Sequence, residues 1–184
     1  LISLLLQGPF GYSALMTGAL ILPMAAVLAL SSPVSGRLVG RRGTRPPLVI
    51  GGAAISVASV MLVFISTGTP AWYLIIAFTM LGAGIGFINP PITTTAVAGL
   101  PLSQAGTASG LASASRQVGV ALGVAVAGLA ASADDLRLTA ASHPVFRLTA
   151  VLGLVVASLG VVSTTRWARG TRHRLDALFN ASDA

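Results

Sequence analysis

The chain has no cysteine, no lysine, no glutamate and only four aspartates in its 184 residues. Without cysteine there is no disulfide framework and no thiolate metal site. The eleven basic residues are all arginine, which reads as the codon bias of a GC-rich genome, since arginine also replaces lysine in the polar tail. No acid occurs from Leu1 to Ala133, so none of the spans described below holds a carboxylate able to carry a proton. His143 and His173 are read as belonging to a loop and the tail. No His/Asp pair lies within a span, and no metal-ligand spacing or nucleophile elbow occurs; neither an enzyme nor a metal protein is expected. Charged residues make up 8% of the chain, against about 25% in a soluble domain, while 54% is apolar and the mean hydropathy is +0.89. A surface so poor in charge is suited to lipid rather than water.

What is present is a series of apolar runs near the roughly 20 residues that a membrane helix needs. The chain opens with Leu1–Gln7, too short to cross a bilayer and without the charged start of a signal peptide. It reads as the end, 1–7, of a truncated span and predicts a parent protein of greater length. Complete spans are predicted over 13–34, 48–66, 72–97, 106–131 and 145–165. Between them lie an Arg/Gly loop at 36–47, a turn at 67–71, a connection at 99–105 and a loop at 132–144; a polar tail occupies 166–184. The fold class is all-α, a polytopic membrane helix bundle.

Sidedness follows from charge, because cytoplasmic loops carry the excess of Lys and Arg. With the 36–47 loop inside, alternation places the tail inside as well, and those two segments hold eight of the eleven arginines. The outer side holds Arg137 and Arg147, offset by Asp134 and Asp135. Tyr12, Trp72 and Tyr73 then fall at the outer interface and Trp167 at the inner one, as aromatic belts do. This topology explains the net charge of +7 better than a nucleic-acid partner, for which no aromatic-interleaved basic face exists. The tail from Trp167 to Phe179 reads either as solvated or as a short helix lying on the membrane.

Four features within the spans carry further expectations. Gly106, Gly110, Gly119 and Gly123 have the small-residue spacing that lets membrane helices approach closely, and they predict a helix inside a bundle. Gly82-Ala-Gly84-Ile-Gly86 superficially resembles a nucleotide-binding run, but it stands mid-span with no acid near it, so Gly82 and Gly86 are read as packing positions. Pro23 falls inside a span, and Asn89-Pro90-Pro91 either kinks or ends one. Arg116 is an ionisable residue within a span and either faces a cavity or partner or snorkels to the interface. Gln7, Asn89 and Gln117 are further candidates for a polar pathway.

The order of these pieces is similar to one half of a major facilitator superfamily transporter. That family has a cytoplasmic loop signature, Gly-x-x-x-Asp-Arg-x-Gly-Arg-Arg/Lys, between the second and third helices of each half. Here Gly36, Arg41, Gly43 and Arg45 match it, with Arg37 alongside, while Gly40 replaces the acid and Thr44 an arginine. Leu6-Gln7, Gly11 to Leu15, Gly18 to Pro23, Gly82 to Gly86, Ala105 to Gly110 and Arg116 to Gly119 resemble the C-terminal half of EmrB/QacA-type drug:proton antiporters. The resemblance implies a six-helix half, five complete spans plus the end of one, in the plasma membrane with a cytoplasmic C-terminus. It implies alternating-access export of small amphipathic or hydrophobic compounds, with no cofactor beyond the proton as coupling ion. The proton's carboxylate and the opposite wall of the pathway are then expected in a missing N-terminal part. It also implies that the loop contacts stabilise one access state. Two other functions fit the same residues: a carrier for a sugar or organic anion, with Arg116 holding the anion, and a transport-inactive sensor or assembly subunit.

Overall fold

The structure is a computed structural model that describes residues 1–97, 102–132 and 135–162. Every regular element among them is helical: α1 (Ile2–Gln7), α2 (Ala14–Arg42), α3 (Arg45–Val63), α4 (Ala71–Val97), α5 (Leu102–Ala131) and α6 (Asp135–Val162). The last five are long and apolar enough to cross a membrane. Their outer surfaces are apolar too, with Leu15, Leu22, Leu111, Leu129 and Leu159 between 60% and 85% exposed. In water such a surface would lose about 25 cal/mol for every Å² left uncovered; in lipid it costs nothing.

Several helix ends differ from the sequence reading. Ser13 caps α2, its Oγ accepting the Met16 N–H at 3.2 Å. The helix then continues through Pro23, Pro33 and Gly36 to Arg42. It stops at Gly43, whose φ of 78° is a left-handed conformation that glycine adopts without a Cβ penalty. After Thr44, α3 opens on Arg45-Pro46-Pro47, where proline is tolerated because first-turn donors have no helical partner anyway. The 36–47 stretch is therefore helical except at Gly43 and Thr44. The 132–144 stretch is likewise helical from Asp135 and passes through Pro144. Within 99–105, helix begins at Leu102. Within the spans, where lipid offers no water to the backbone, helix persists through Pro23, which would favour a break in a soluble protein. Between α3 and α4 a turn is closed by Thr69 N–H to the Ser66 carbonyl and Ser66 N–H to Thr69 Oγ1, both at 2.9 Å.

The bundle is layered around α4, which packs against α2 on one side and α3 on the other; α3 in turn backs onto α6. A buried cluster of Leu5, Leu6, Leu62, Ile65, Leu74, Phe78 and Phe146 closes one end. Tyr12 and Tyr73 pack against it, and the Tyr73 hydroxyl donates to the Met61 carbonyl at 3.0 Å. At the opposite end Gly160 of α6 lies against Leu48 of α3, so α6 finishes beside the α2–α3 corner. The tail from 166 onward, including Trp167, lies outside the described residues.

Candidate functional site

The glycines of α4 place it between its two neighbours. Positions two apart on a helix point about 200° apart, whereas those four apart share a face. Gly82 and Gly86 accordingly face α2, where an added Cβ would collide with the Met24 carbonyl and with Ser31 Oγ respectively. Gly84 faces α3, where a Cβ would come within 2.6 Å of Ile55 Cγ1 and 2.9 Å of the Gly51 carbonyl oxygen. Gly51 answers from the other side, where an added Cβ would come within 2.8 Å of the Gly84 oxygen. The α3–α6 seam repeats the device with Gly52 and Gly153, each a Cβ-width from the other helix's backbone. Ser56 Oγ bridges that seam at 2.9 Å from the Gly52 carbonyl and 3.1 Å from that of Ala150. The Gly51-Gly52 doublet and the seven-residue spacing of Gly153 and Gly160 were the available signals for this seam.

The proline pair does not end α4. Pro91 has no N–H to give the Phe87 carbonyl four residues back, and buried Ser35 of α2 donates to that oxygen instead, at 2.7 Å. Below the pair, Thr93, Thr94 and Thr95 return their hydroxyls to the carbonyls of Pro90, Pro90 and Pro91 at 2.9, 2.8 and 2.6 Å. A carbonyl freed by proline thus becomes a cross-helix acceptor rather than a broken end.

The small residues of α5 behave differently. Gly106, Gly110, Gly119 and Gly123 have nothing within 4 Å of an added Cβ, and only 6% of the helix's apolar window is buried, against 39% in α3 and in α4. Against expectation, α5 lies at the margin of this chain. Small residues permit close approach but do not cause it; the glycines of α3, α4 and α6 meet other helices, whereas those of α5 meet none among the described residues.

Arg116 lies midway along α5, fourteen residues from Leu102 and fifteen from Ala131, or about 21 Å from either end. It is exposed and makes no hydrogen bond or ion pair with another described residue. Its direction is nonetheless defined. Ala108, Ala112, Ala127 and Ala130, which are among the few less-exposed positions on the helix, all fall within a quarter turn of it. Arg116 thus shares a side of α5 with these positions, though its own level of the helix is open, and three turns along Ala127 lines an open cavity of about 360 Å³. Ser59 also lines this cavity, buried and with no hydrogen-bond partner for its Oγ.

The other pathway candidates are dispersed. Gln7 is exposed and donates from Nε2 to Ser3 Oγ at 2.8 Å. Asn89 is exposed on α4, and Gln117 is exposed a step round from Arg116. Among the described residues no hydrogen bond joins any two of the four. Gly36, Arg37, Arg41 and Arg45 are exposed at the α2–α3 corner together with Gly43.

The family model described as Major Facilitator Superfamily matches residues 1–124. Among curated proteins the chain is similar to the multidrug resistance protein Stp of Mycobacterium tuberculosis, 39% identical over 67% of this chain and 23% of that protein. It is 38% identical to the puromycin resistance protein pur8 of Streptomyces alboniger, over 66% of this chain and 25% of pur8. With the quinolone resistance protein NorB of Staphylococcus aureus it shares 31% over 66% of this chain and 27% of NorB. The matched stretch spans about a quarter of the length of each of these relatives. No solved structure gives a significant match. Apolar spans joined by a Gly/Arg corner and a family match over two thirds of the chain lead to one conclusion: this is a member of the Major Facilitator Superfamily.

Proposed function

We propose that the chain forms one half of a proton-coupled exporter of small amphipathic or hydrophobic compounds, working by alternating access in the plasma membrane. The observation that carries this reading is the similarity of one stretch, at 31–39% identity, to proteins named for resistance to puromycin, to quinolones and to multiple drugs. Such a half supplies one wall of a pathway whose substrate binds near the midplane, between two halves that rock against each other. Arg116, at mid-helix on α5, is the residue best placed to meet a polar group there. The coupling carboxylate has to come from outside the acid-free 1–133 stretch. The arginines of the α2–α3 corner and the four that follow α6 face the cytoplasm in this reading, and the C-terminus with them.

The test is Arg116→Ala in the full-length transporter, assayed by efflux of a fluorescent lipophilic cation from loaded cells. Export falls at least tenfold while the amount of protein in the membrane is unchanged. Undiminished export would remove Arg116 from the pathway. An upstream sequence with no Asp or Glu in its spans would remove proton antiport.

A further inference from the structure

Arg37, Arg41, Arg42 and Arg45 lie within nine residues of one another, all exposed, at the corner where α2 ends and α3 begins. Two features go beyond a topology marker. First, no described residue supplies the cluster with a counter-charge. There is no acid between Leu1 and Ala133, and exposed Gly40, with open space around it, stands where the family signature carries its aspartate. The tail brings no surplus of negative charge, with four arginines against Asp176 and Asp183. Second, the charge continues an apolar stripe. Leu30, Val34, Arg37 and Arg41 fall within about 40° of one line along α2 at 100° per residue. Leu30 is 70% and Val34 50% exposed, and both arginines are exposed below them.

An aliphatic track that ends in two guanidinium groups, with two more around the corner, has the layout of a phospholipid's acyl chain and phosphate. We propose that this corner is a binding site for an anionic phospholipid of the cytoplasmic leaflet, its phosphate held by Arg37 and Arg41 and its chain lying along Val34 and Leu30. Guanidinium pairs phosphate oxygens in bidentate fashion, and each basic residue near an anionic surface raises its attraction about fivefold. Arg42 and Arg45 supply field rather than direct contact. The leaflet assignment rests on the sidedness proposed above; the binding chemistry does not.

The experiment uses delipidated full-length transporter in neutral detergent, offered equal amounts of phosphatidylglycerol and phosphatidylcholine, with bound lipid counted by native mass spectrometry. The expected result is a preference of about tenfold or more for phosphatidylglycerol, weakened by high salt and insensitive to excess inorganic phosphate. Arg37→Gln with Arg41→Gln brings the ratio close to one, Arg37→Lys with Arg41→Lys keeps most of it, and glutamine at the four tail arginines leaves it intact. The proposal is overturned by equal binding of the two lipids by the unaltered protein, by a preference unmoved by salt, or by its loss only when the tail is changed. Displacement by inorganic phosphate would show a free-anion site and also overturn the lipid assignment. Because the first two readouts need no substitution, misfolding of a variant does not obscure the answer. Labelling of Thr44→Cys from outside the cell would refute the sidedness alone, leaving the lipid preference to be judged separately.

Discussion

Ser35 shows how much one hydroxyl can decide in a membrane helix. Pro91 removes the N–H that the Phe87 carbonyl would have used, and Ser35 Oγ replaces it from another helix at 2.7 Å. Ser35→Ala therefore leaves a buried acceptor unpaired, at a cost of about 0.6–2 kcal/mol, as for interhelical hydrogen bonds in membranes. In a Pro91→Ala background the helix supplies its own donor, and the same serine change costs less. Unfolding in mixed micelles across the four variants measures that coupling, and additive losses would contradict it. The prolines were legible in the sequence, as was the prospect of freed carbonyls. The extent of the span, 72–97, was read from the sequence too; the donor that satisfies the Phe87 carbonyl was not, because Ser35 lies 52 residues away in the chain.

At the level of the element, α4 and α5 carry similar glycine patterns and meet different fates. Gly84→Leu drives a side chain into Ile55 and the Gly51 carbonyl, and overpacking of this kind costs about 1–3 kcal/mol. Gly119→Leu on α5 meets open space and leaves the melting temperature of the 184-residue chain unchanged. Thermal aggregation of the two variants in detergent gives the comparison; equal destabilisation would mean that α5 is packed within the chain after all. Glycine spacing alone made no distinction between these helices. The difference lies in neighbours, since α4 has α2 and α3 on opposite faces, whereas α5 touches α4 and α6 only lightly.

For the whole molecule, the two ends of the bundle are chemically distinct. One gathers Tyr12, Tyr73 and the buried leucine and phenylalanine cluster; the other carries the arginine corner, with the end of α6 beside it. In a cysteine-free full-length background, Thr44→Cys is expected to react with a membrane-impermeant maleimide in inside-out vesicles and not in intact cells, and the reverse pattern would invert the topology. If the chain is one half of a transporter, as proposed above, the 184 residues reconstituted alone are expected to show no substrate uptake into vesicles, because they supply only one wall of a pathway. Uptake by the chain alone would contradict the half-transporter reading.

Composition determined the solvent and the class of fold, because 8% charge and repeated apolar runs leave a helical bundle in lipid as the workable arrangement. Charge placement carries the proposed sidedness, because cytoplasmic loops hold the excess of arginine. Tertiary structure alone decided which glycines are contacts and which are open among the described residues, and where the helices stop around the arginine corner. Those outcomes depend on which surfaces meet, and a local pattern of small or basic residues states only what a surface permits.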